Sequence, residues 1–492
     1  MATRRQFLAA ALALSVSSRL QFLQAETSEI VNDIHSQLNP TRVERILKPV
    51  SAEELQAAVR DAKRTHKAIA IAGGRHAMGG QQFGTGAVLV DMRGMNQVHR
   101  FDPDRQTLEV DAGVFWPELI QSYLQQQQGI SNQWGIAQKQ TGADKISIGG
   151  TLAANAHGRG LKMHPFINDI ESFKLVNADG DLLTCSRQQN PELFKLAIGG
   201  YGLFGLVSSV TLRLVSRQKI QRVVEVRMLK GLMEAFSERI QNGFLFGDFQ
   251  FAIDPKSDDF LSKGVFSCYK PVDSSTPMPE HEKELSDESW RTLLYLAHEN
   301  KSDAFQRYAE YYLSTNGQLY WSDTHQMSFY PENYHRLIDQ EMHAKHPATE
   351  IITEINVPRE RLEDFLAEVR EDFRKNDVNL IYGTVRLIEK DDESFLPWAK
   401  QSYACTIFNL HTIHSLQGIQ HSAAAFRRLI DMAIRRKGTY YLTYHRYARQ
   451  EQVLACYPNF PEFLRLKKKY DPQEVFQSDW YRYYKTMFGK TS

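Results

Sequence analysis

The chain has 492 residues, a formal charge of +1, 42% hydrophobic and 24% charged residues, which exceeds what one hydrophobic core supports and describes an ordinary globular protein of at least two domains. A balance so close to neutral gives no positive signal for a nucleic-acid partner or an anionic membrane surface. The four cysteines, Cys185, Cys268, Cys405 and Cys456, show neither CxxC pairing nor zinc spacing, which argues against a disulfide framework or a metal site.

At the start, Thr3-Arg4-Arg5-Gln6-Phe7-Leu8 precedes an apolar run over 8–16 that is too short to span a bilayer as a mature helix. Paired arginines followed by Phe-Leu resemble the twin-arginine signal of bacteria, so residues 1–25 are expected to direct export to the periplasm. The other reading is a basic amphipathic terminus on a cytoplasmic protein. Ser51 and Glu54 then form a capping box ahead of Leu55, Ala58, Val59 and Ala62, which share a helical face. Strands are predicted over 68–72, 87–92 and 107–111, with a helix opening at Pro117 and running to about 127. This βαβ-like order mixed with hairpins points to an α+β fold.

Three glycine-rich segments stand out. The 68–72 strand runs into Gly73-Gly74-Arg75-His76-Ala77-Met78-Gly79-Gly80, where glycines on either side of one imidazole suit a turn wrapped around a bound group. A second stretch runs from Thr141-Gly142 through Ser147-Ile148-Gly149-Gly150 to Ala154-Asn155-Ala156-His157-Gly158. Its small residues and hydroxyls free backbone N–H groups to cradle a pyrophosphate. The third, Gly199 to Gly205, leads into an alternating strand over 206–214. No GxGxxG between strand and helix and no GxxxxGK[ST] is present, so neither a Rossmann fold nor a P-loop accounts for these glycines.

In this order the segment Pro49 to Leu55, the Gly73-Gly74-Arg75-His76 turn, Ser147 to Thr151 with Ala156-His157-Gly158, and Gly202 to Val207 resemble the PCMH-type FAD-binding domain of the vanillyl-alcohol oxidase and p-cresol methylhydroxylase family. A helix over 464–470 followed by Asp471-Pro472-Gln473-Glu474-Val475-Phe476 resembles that family's ending. The resemblance implies a two-subdomain FAD-binding domain over 40–215, a cap over 216–438 built on an antiparallel sheet with flanking helices, and a segment over 439–492 that returns to the flavin. It assigns FAD binding to Gly73, Gly74, Arg75, His76, Ala77, Met78, Gly79, Thr141, Gly142, Ser147, Gly149, Gly150, Ala154, Asn155, His157 and Val207. In that family the histidine matching His76 often bonds covalently to the flavin 8α carbon. Residues 133–160 contain no cysteine for a second bond, so a single attachment is expected.

The middle of the chain lacks glycine-rich turns. A helix over 359–375 carries an apolar stripe of Leu362, Phe365, Leu366, Val369 and Phe373. Three strands flank it with polar faces: Glu354 and Asn356 on 351–357, Tyr382, Thr384 and Arg386 on 379–388, Asn409 and His411 on 405–413. Such faces either meet water or line a hydroxylated substrate. Here Glu354 to Pro358 and Val385 to Ile388 resemble the aldonolactone and alditol oxidases of the same family, in which the arginine matching Arg386 lies near flavin and substrate. Those relatives typically carry glutamate where this chain has Thr384, which implies a changed substrate or a displaced base. An aromatic strand is predicted over 439–447, and His445 in it matches a histidine of the sugar-lactone oxidases.

These readings converge on oxidation of a CH–OH group in a polyol, sugar or aldonolactone-like substrate, the hydrogen passing as hydride to flavin N5 and dioxygen or an electron carrier reoxidising the flavin. The expected catalytic groups are Arg386, to orient substrate and stabilise anionic charge, and His445 or Glu354 as base. Two further readings stand beside this one: a flavin dehydrogenase of a phenolic or heterocyclic substrate, favoured by the tyrosines near residue 440, and a flavin-bearing carrier without catalysis, suggested by Thr384.

Overall fold

A computed structural model describes residues 28–489 apart from 329 and 332, so the twin-arginine-like segment lies outside the described residues. The first long helix, Ala52–Thr65, begins where the Ser51 hydroxyl accepts a hydrogen bond from the Glu54 amide at 3.3 Å, and it buries Leu55, Val59 and Ala62. The Glu54 carboxylate accepts from the Val50 amide, one residue earlier than a strict capping box requires. Beneath this helix lies a three-stranded parallel sheet, Arg45–Leu47, Val88–Asp91 and Ile69–Ala72, with the 88–91 strand central. Its central strand is buried on both faces and reads as a continuous apolar run, as parallel strands do.

A second, antiparallel sheet carries the strands Leu182–Ser186, Ile170–Val176, Leu206–Ser216, Thr107–Asp111 and Val98–Asp102 in that spatial order. Trp134–Ile136 pairs with the far end of the 206–216 strand. The helix Trp116–Gln126 starts with Pro117 in its first turn, where a missing N–H costs nothing.

The third sheet has eight antiparallel strands, drawn from residues 219 to 440: Leu319–Trp321, Lys219–Met228, Lys263–Pro271, Phe246–Phe251, Leu380–Ile388, Tyr403–Ile413, Ala348–Pro358 and Thr439–Tyr440. Helices Leu362–Lys375 and Leu416–Arg435 cover one face, where Phe365 and Phe373 meet Phe408 edge-on. A helical hairpin, Asp287–Glu299 and Lys301–Ser314, packs against the sheet and roofs a cavity on the Asn409 side. Of the polar faces predicted for these strands, Tyr382, Arg386 and Asn409 look into this cavity instead of bulk water. The aromatic strand expected over 439–447 ends at Tyr440, after which the chain turns away from the sheet. All four cysteines are buried and free. Among the described residues no helix is long and apolar enough to cross a membrane.

Candidate functional site

Two adjoining cavities lie between the glycine-rich segments and the eight-stranded sheet. The first is a trough lined by Gly73, Gly74, Arg75, His76, Ala77 and Met78, by Gly142, Ser147, Gly149, Gly150, Ala154 and His157, by Gly202, Gly205 and Val207, and by Glu354 and Arg386. Its walls are close-packed backbone. A Cβ on Gly73 would lie 2.1 Å from the Ser147 hydroxyl and one on Gly74 only 2.2 Å from the Lys145 carbonyl oxygen, so the first two glycine segments touch because those side chains are missing. Ser147 caps the short helix Ile148–Ala154 by accepting from the Gly150 amide at 3.1 Å, which points that helix start into the trough.

His76 is held from two sides. Its Nε2 lies 2.9 Å from the Lys145 carbonyl, which only accepts, so Nε2 carries the proton. Nδ1 lies 2.8 Å from His35 Nε2. Burial first, then the neighbouring His76, hold His35 well below the ordinary imidazole range, so His35 is the neutral member of the pair. No motif marks His35 in the sequence, because its partner lies on a different segment.

At the other end of the trough, Glu354 is fully buried and its Oε1 lies 2.9 Å from His157 Nε2. His157 Nδ1 donates to the Gly158 carbonyl at 3.0 Å, which fixes the ring with Nε2 toward the carboxyl. Glu354 Oε2 and Arg386 Nε, both buried, have no hydrogen-bond partner among the described residues. Two orphaned polar atoms in the wall of a cavity are a cost that a bound polar group would remove.

The second cavity, of about 670 Å³, continues from the first and shares His35, Gln140, Gly142, Ile352, Arg386 and Tyr444 with it. Its polar lining includes Arg159, Arg222 and Asp248, and its aromatic lining is rich in tyrosine: Tyr308, Tyr311, Tyr312, Tyr320, Tyr382 and Tyr444. Thr384 is not part of the lining; its hydroxyl donates to the Phe249 carbonyl at 3.2 Å and lies 3.5 Å from Asp248, so the carboxylate nearest this position comes from the adjacent strand. Lys139 anchors the loop between the cavities. Its ammonium meets Asp144 at 2.7 Å and the Gln140 carbonyl at 2.7 Å, while burial lowers its pKa to about 8.

Four expected site residues lie elsewhere. His445 faces away from both cavities: it stacks on Phe426 at 4.4 Å, donates from Nε2 to Thr353 at 3.0 Å and accepts at Nδ1 from the Tyr447 amide. Thr353 and Glu354 point to opposite sides of their strand, which separates His445 from the trough. Burial pushes the His445 pKa down to about 3, and its place as a base is corrected accordingly. Asn155 is a structural cap, with φ of 46°, bonded to Asp391 and to the Ile167 amide. Gly79 turns its amide to Gln81, and Thr141 lines the second cavity, its hydroxyl without a partner among the described residues. The turn after Tyr440 instead presents Tyr441, Thr443 and Tyr444 to the trough, with the Tyr441 hydroxyl donating to the Ala154 carbonyl at 2.7 Å. Tyr201, Gly202 and Gly205 belong to the third glycine segment, a signal that was visible in the sequence.

The trough fits the flavin dinucleotide expected from the resemblance: it is long, walled by glycine backbone, and ends at two unpartnered polar atoms where a ring and a substrate would meet. A family model described as FAD binding domain matches residues 43–186, and one described as D-arabinono-1,4-lactone oxidase matches residues 210–484, more than half of the chain. L-gulonolactone oxidase of Bos taurus is 24% identical over 204 residues, 41% of this chain and 44% of its own length. Cytokinin dehydrogenase 2 of Arabidopsis thaliana is 27% identical over 224 residues, 44% and 41% respectively. L-gulono-1,4-lactone dehydrogenase of Mycobacterium tuberculosis is 22% identical over 438 residues, 89% of this chain and 95% of its own. The first two matches thus span less than half of those relatives, and the third nearly all of it.

Proposed function

Because the chain belongs to the D-arabinono-1,4-lactone oxidase family, with an FAD-binding domain ahead of that region, we propose that it oxidises a CH–OH group of an aldonolactone, sugar or polyol. The observation that carries the reading is that Glu354 and Arg386, each with a buried atom lacking a hydrogen-bond partner among the described residues, both line the trough. When bound, FAD supplies an acceptor for the two electrons leaving the carbinol carbon. Arg386, in the wall of both cavities, orients the substrate oxygen and offsets developing negative charge. The Glu354–His157 pair takes the hydroxyl proton, its buried partner His157 steadying the charge change. Tyr444 and Ile352, in the lining of both cavities, supply apolar surface where the two adjoin.

His76 is the group to tether FAD covalently, its ring held between His35 and the Lys145 carbonyl. Export of the folded, loaded protein belongs to the same proposal and is read by fractionating cells that carry Arg4→Lys and Arg5→Lys. The decisive experiment mixes purified protein anaerobically with aldonolactones and polyols and follows loss of the oxidised-flavin absorbance. Bleaching that slows about 10²–10⁴-fold in Glu354→Gln supports the assignment; unchanged bleaching in that variant removes Glu354 from the reaction. Yellow colour surviving acid precipitation, and lost in His76→Ala, supports the tether.

The tyrosine-rich lining of the second cavity favours one alternative, an aromatic or heterocyclic substrate stacked on those rings. Bleaching by phenols or aromatic heterocycles, with none by lactones, selects it.

A further inference from the structure

Outside the trough, three side chains from distant parts of the chain converge beside the second cavity, one of them, Glu350, in its lining. Glu350 and His411 are direct cross-strand partners on neighbouring antiparallel strands, so their side chains leave the same face of the sheet side by side. His298 arrives from the last turn of the Asp287–Glu299 helix in the roof. One ligand atom from each lies within 4.8 Å of the others, with His298 Nε2 3.3 Å and His411 Nδ1 3.6 Å from the same oxygen, Glu350 Oε1. Tetrahedral donors about 2.0–2.1 Å from a zinc ion stand roughly 3.3–3.4 Å apart, so these two edges are already close to a coordination polyhedron.

The orientation of the atoms says more than their spacing. Glu350 Oε1, both nitrogens of His298 and Nδ1 of His411 are buried, and the two imidazoles gather on that one carboxylate oxygen without meeting strict hydrogen-bond alignment. The His298 side chain is 2% exposed, that of Glu350 7% and that of His411 16%. The second carboxylate oxygen of Glu350 is fixed by the Tyr334 hydroxyl, the kind of outer contact that orients a ligand carboxylate. Lys301, the nearby cation, spends its ammonium on the Ala297 and Leu380 carbonyls at 2.8 and 2.5 Å, so it does not take the place of a counter-ion at Oε1.

We propose that His298, Glu350 and His411 form a binding site for a divalent transition metal of the zinc class. Two imidazoles and a carboxylate suit such a borderline ion better than calcium or magnesium. The ion would fasten the roof helix to the sheet over the chamber, and because Glu350 is itself a chamber wall residue, a coordination position left open by the protein is accessible from that side. The site stands independently of the oxidation proposed above. It departs from the expectation drawn from cysteine spacing, since its members are neither cysteines nor near one another in the chain.

The test uses the intact, FAD-loaded protein, washed with a strong chelator, desalted and titrated with Zn²⁺, with bound metal read by elemental analysis and unfolding followed by temperature. The expected result is one equivalent of zinc per chain and an unfolding temperature raised by several degrees. His298→Ala and His411→Ala should each weaken zinc binding by at least ~10-fold and abolish the shift, while flavin colour shows that they remain folded. His298→Cys should retain the metal, because thiolate is also a zinc ligand. Absence of uptake by the wild-type chain, or uptake that both alanine variants share in full, overturns the site.

Discussion

Two buried histidines show how strongly a residue's role depends on which side of a strand it packs against. His157 hydrogen-bonds the Glu354 carboxyl in the trough wall, whereas His445, bonded to Thr353 on the opposite side of the same strand, is packed against Phe426. His445 is neutral in the fold, since its pKa falls to about 3 from an ordinary 6.5, with burial as the main cause. The unfolded chain therefore binds a proton that the folded chain refuses between those values. This stabilisation is fully present above pH 6.5 and is lost as pH falls toward 3. Between pH 6.5 and 4.5 the group should cost about 2–3 kcal/mol. In His445→Gln, which keeps a donor for Thr353, the unfolding midpoint should fall less steeply over that window. Equal slopes in denaturant titrations of the two proteins would show that His445 is not held neutral. Per folded molecule, flavin bleaching by substrate should be little changed, because the ring is not part of either cavity wall.

At the level of elements, the glycine turn after Ile69–Ala72 acts through contact with a second loop. The Gly74 Cα sits so close to the Lys145 carbonyl that Gly74→Ala must push two backbones apart, a cost of about 1–3 kcal/mol. His76 hangs from the same carbonyl, so displacement of residue 145 also misplaces the imidazole. The expected outcome is a flavin-to-protein absorbance ratio lowered severalfold, with cap-domain stability retained; full flavin content would mean the loops can separate freely. This turn was legible beforehand because glycine leaves a local mark, and so were the helices started by Ser51 and Pro117, whose caps are also local, whereas the short helix capped by Ser147 was read only as a glycine-rich loop. The strands read over 351–357, 379–388 and 405–413 followed from two-residue alternation and are observed over 348–358, 380–388 and 403–413. Residues 439–447 misled for the same reason: their tyrosines keep the alternation of a strand after the backbone has left the sheet, so Tyr441, Thr443 and Tyr444 reach the trough and His445 does not. The His298, Glu350 and His411 cluster left no local trace, since cross-strand register and a roof helix bring it together.

Across the whole molecule, the far end of the chain completes the core of its beginning. Ile69 accepts from the Gln477 amide at 2.8 Å and donates to the Val475 carbonyl, extending the parallel sheet by a single bridge to Phe476. Phe476 is fully buried among Leu55, Val59, Ile69, Val90 and Leu206. The Asp471 carboxylate sets this geometry: it accepts from the Val475 and Phe476 amides, both at 2.8 Å, and pairs with the buried Lys467 ammonium. The Asp-Pro ending noticed in the sequence is thus a clasp that docks one phenyl ring under the 52–65 helix. Phe476→Ala empties that socket and should cost about 3–5 kcal/mol. The loss falls on the lobe whose glycine turn lines the trough, so flavin should leave before the eight-stranded sheet melts. Limited proteolysis read by mass spectrometry should show the first new cuts between residues 28 and 97, with the cap still protected. First cuts confined to the tail beyond residue 471, with flavin content intact, would show that the amino-terminal lobe is stable without its clasp.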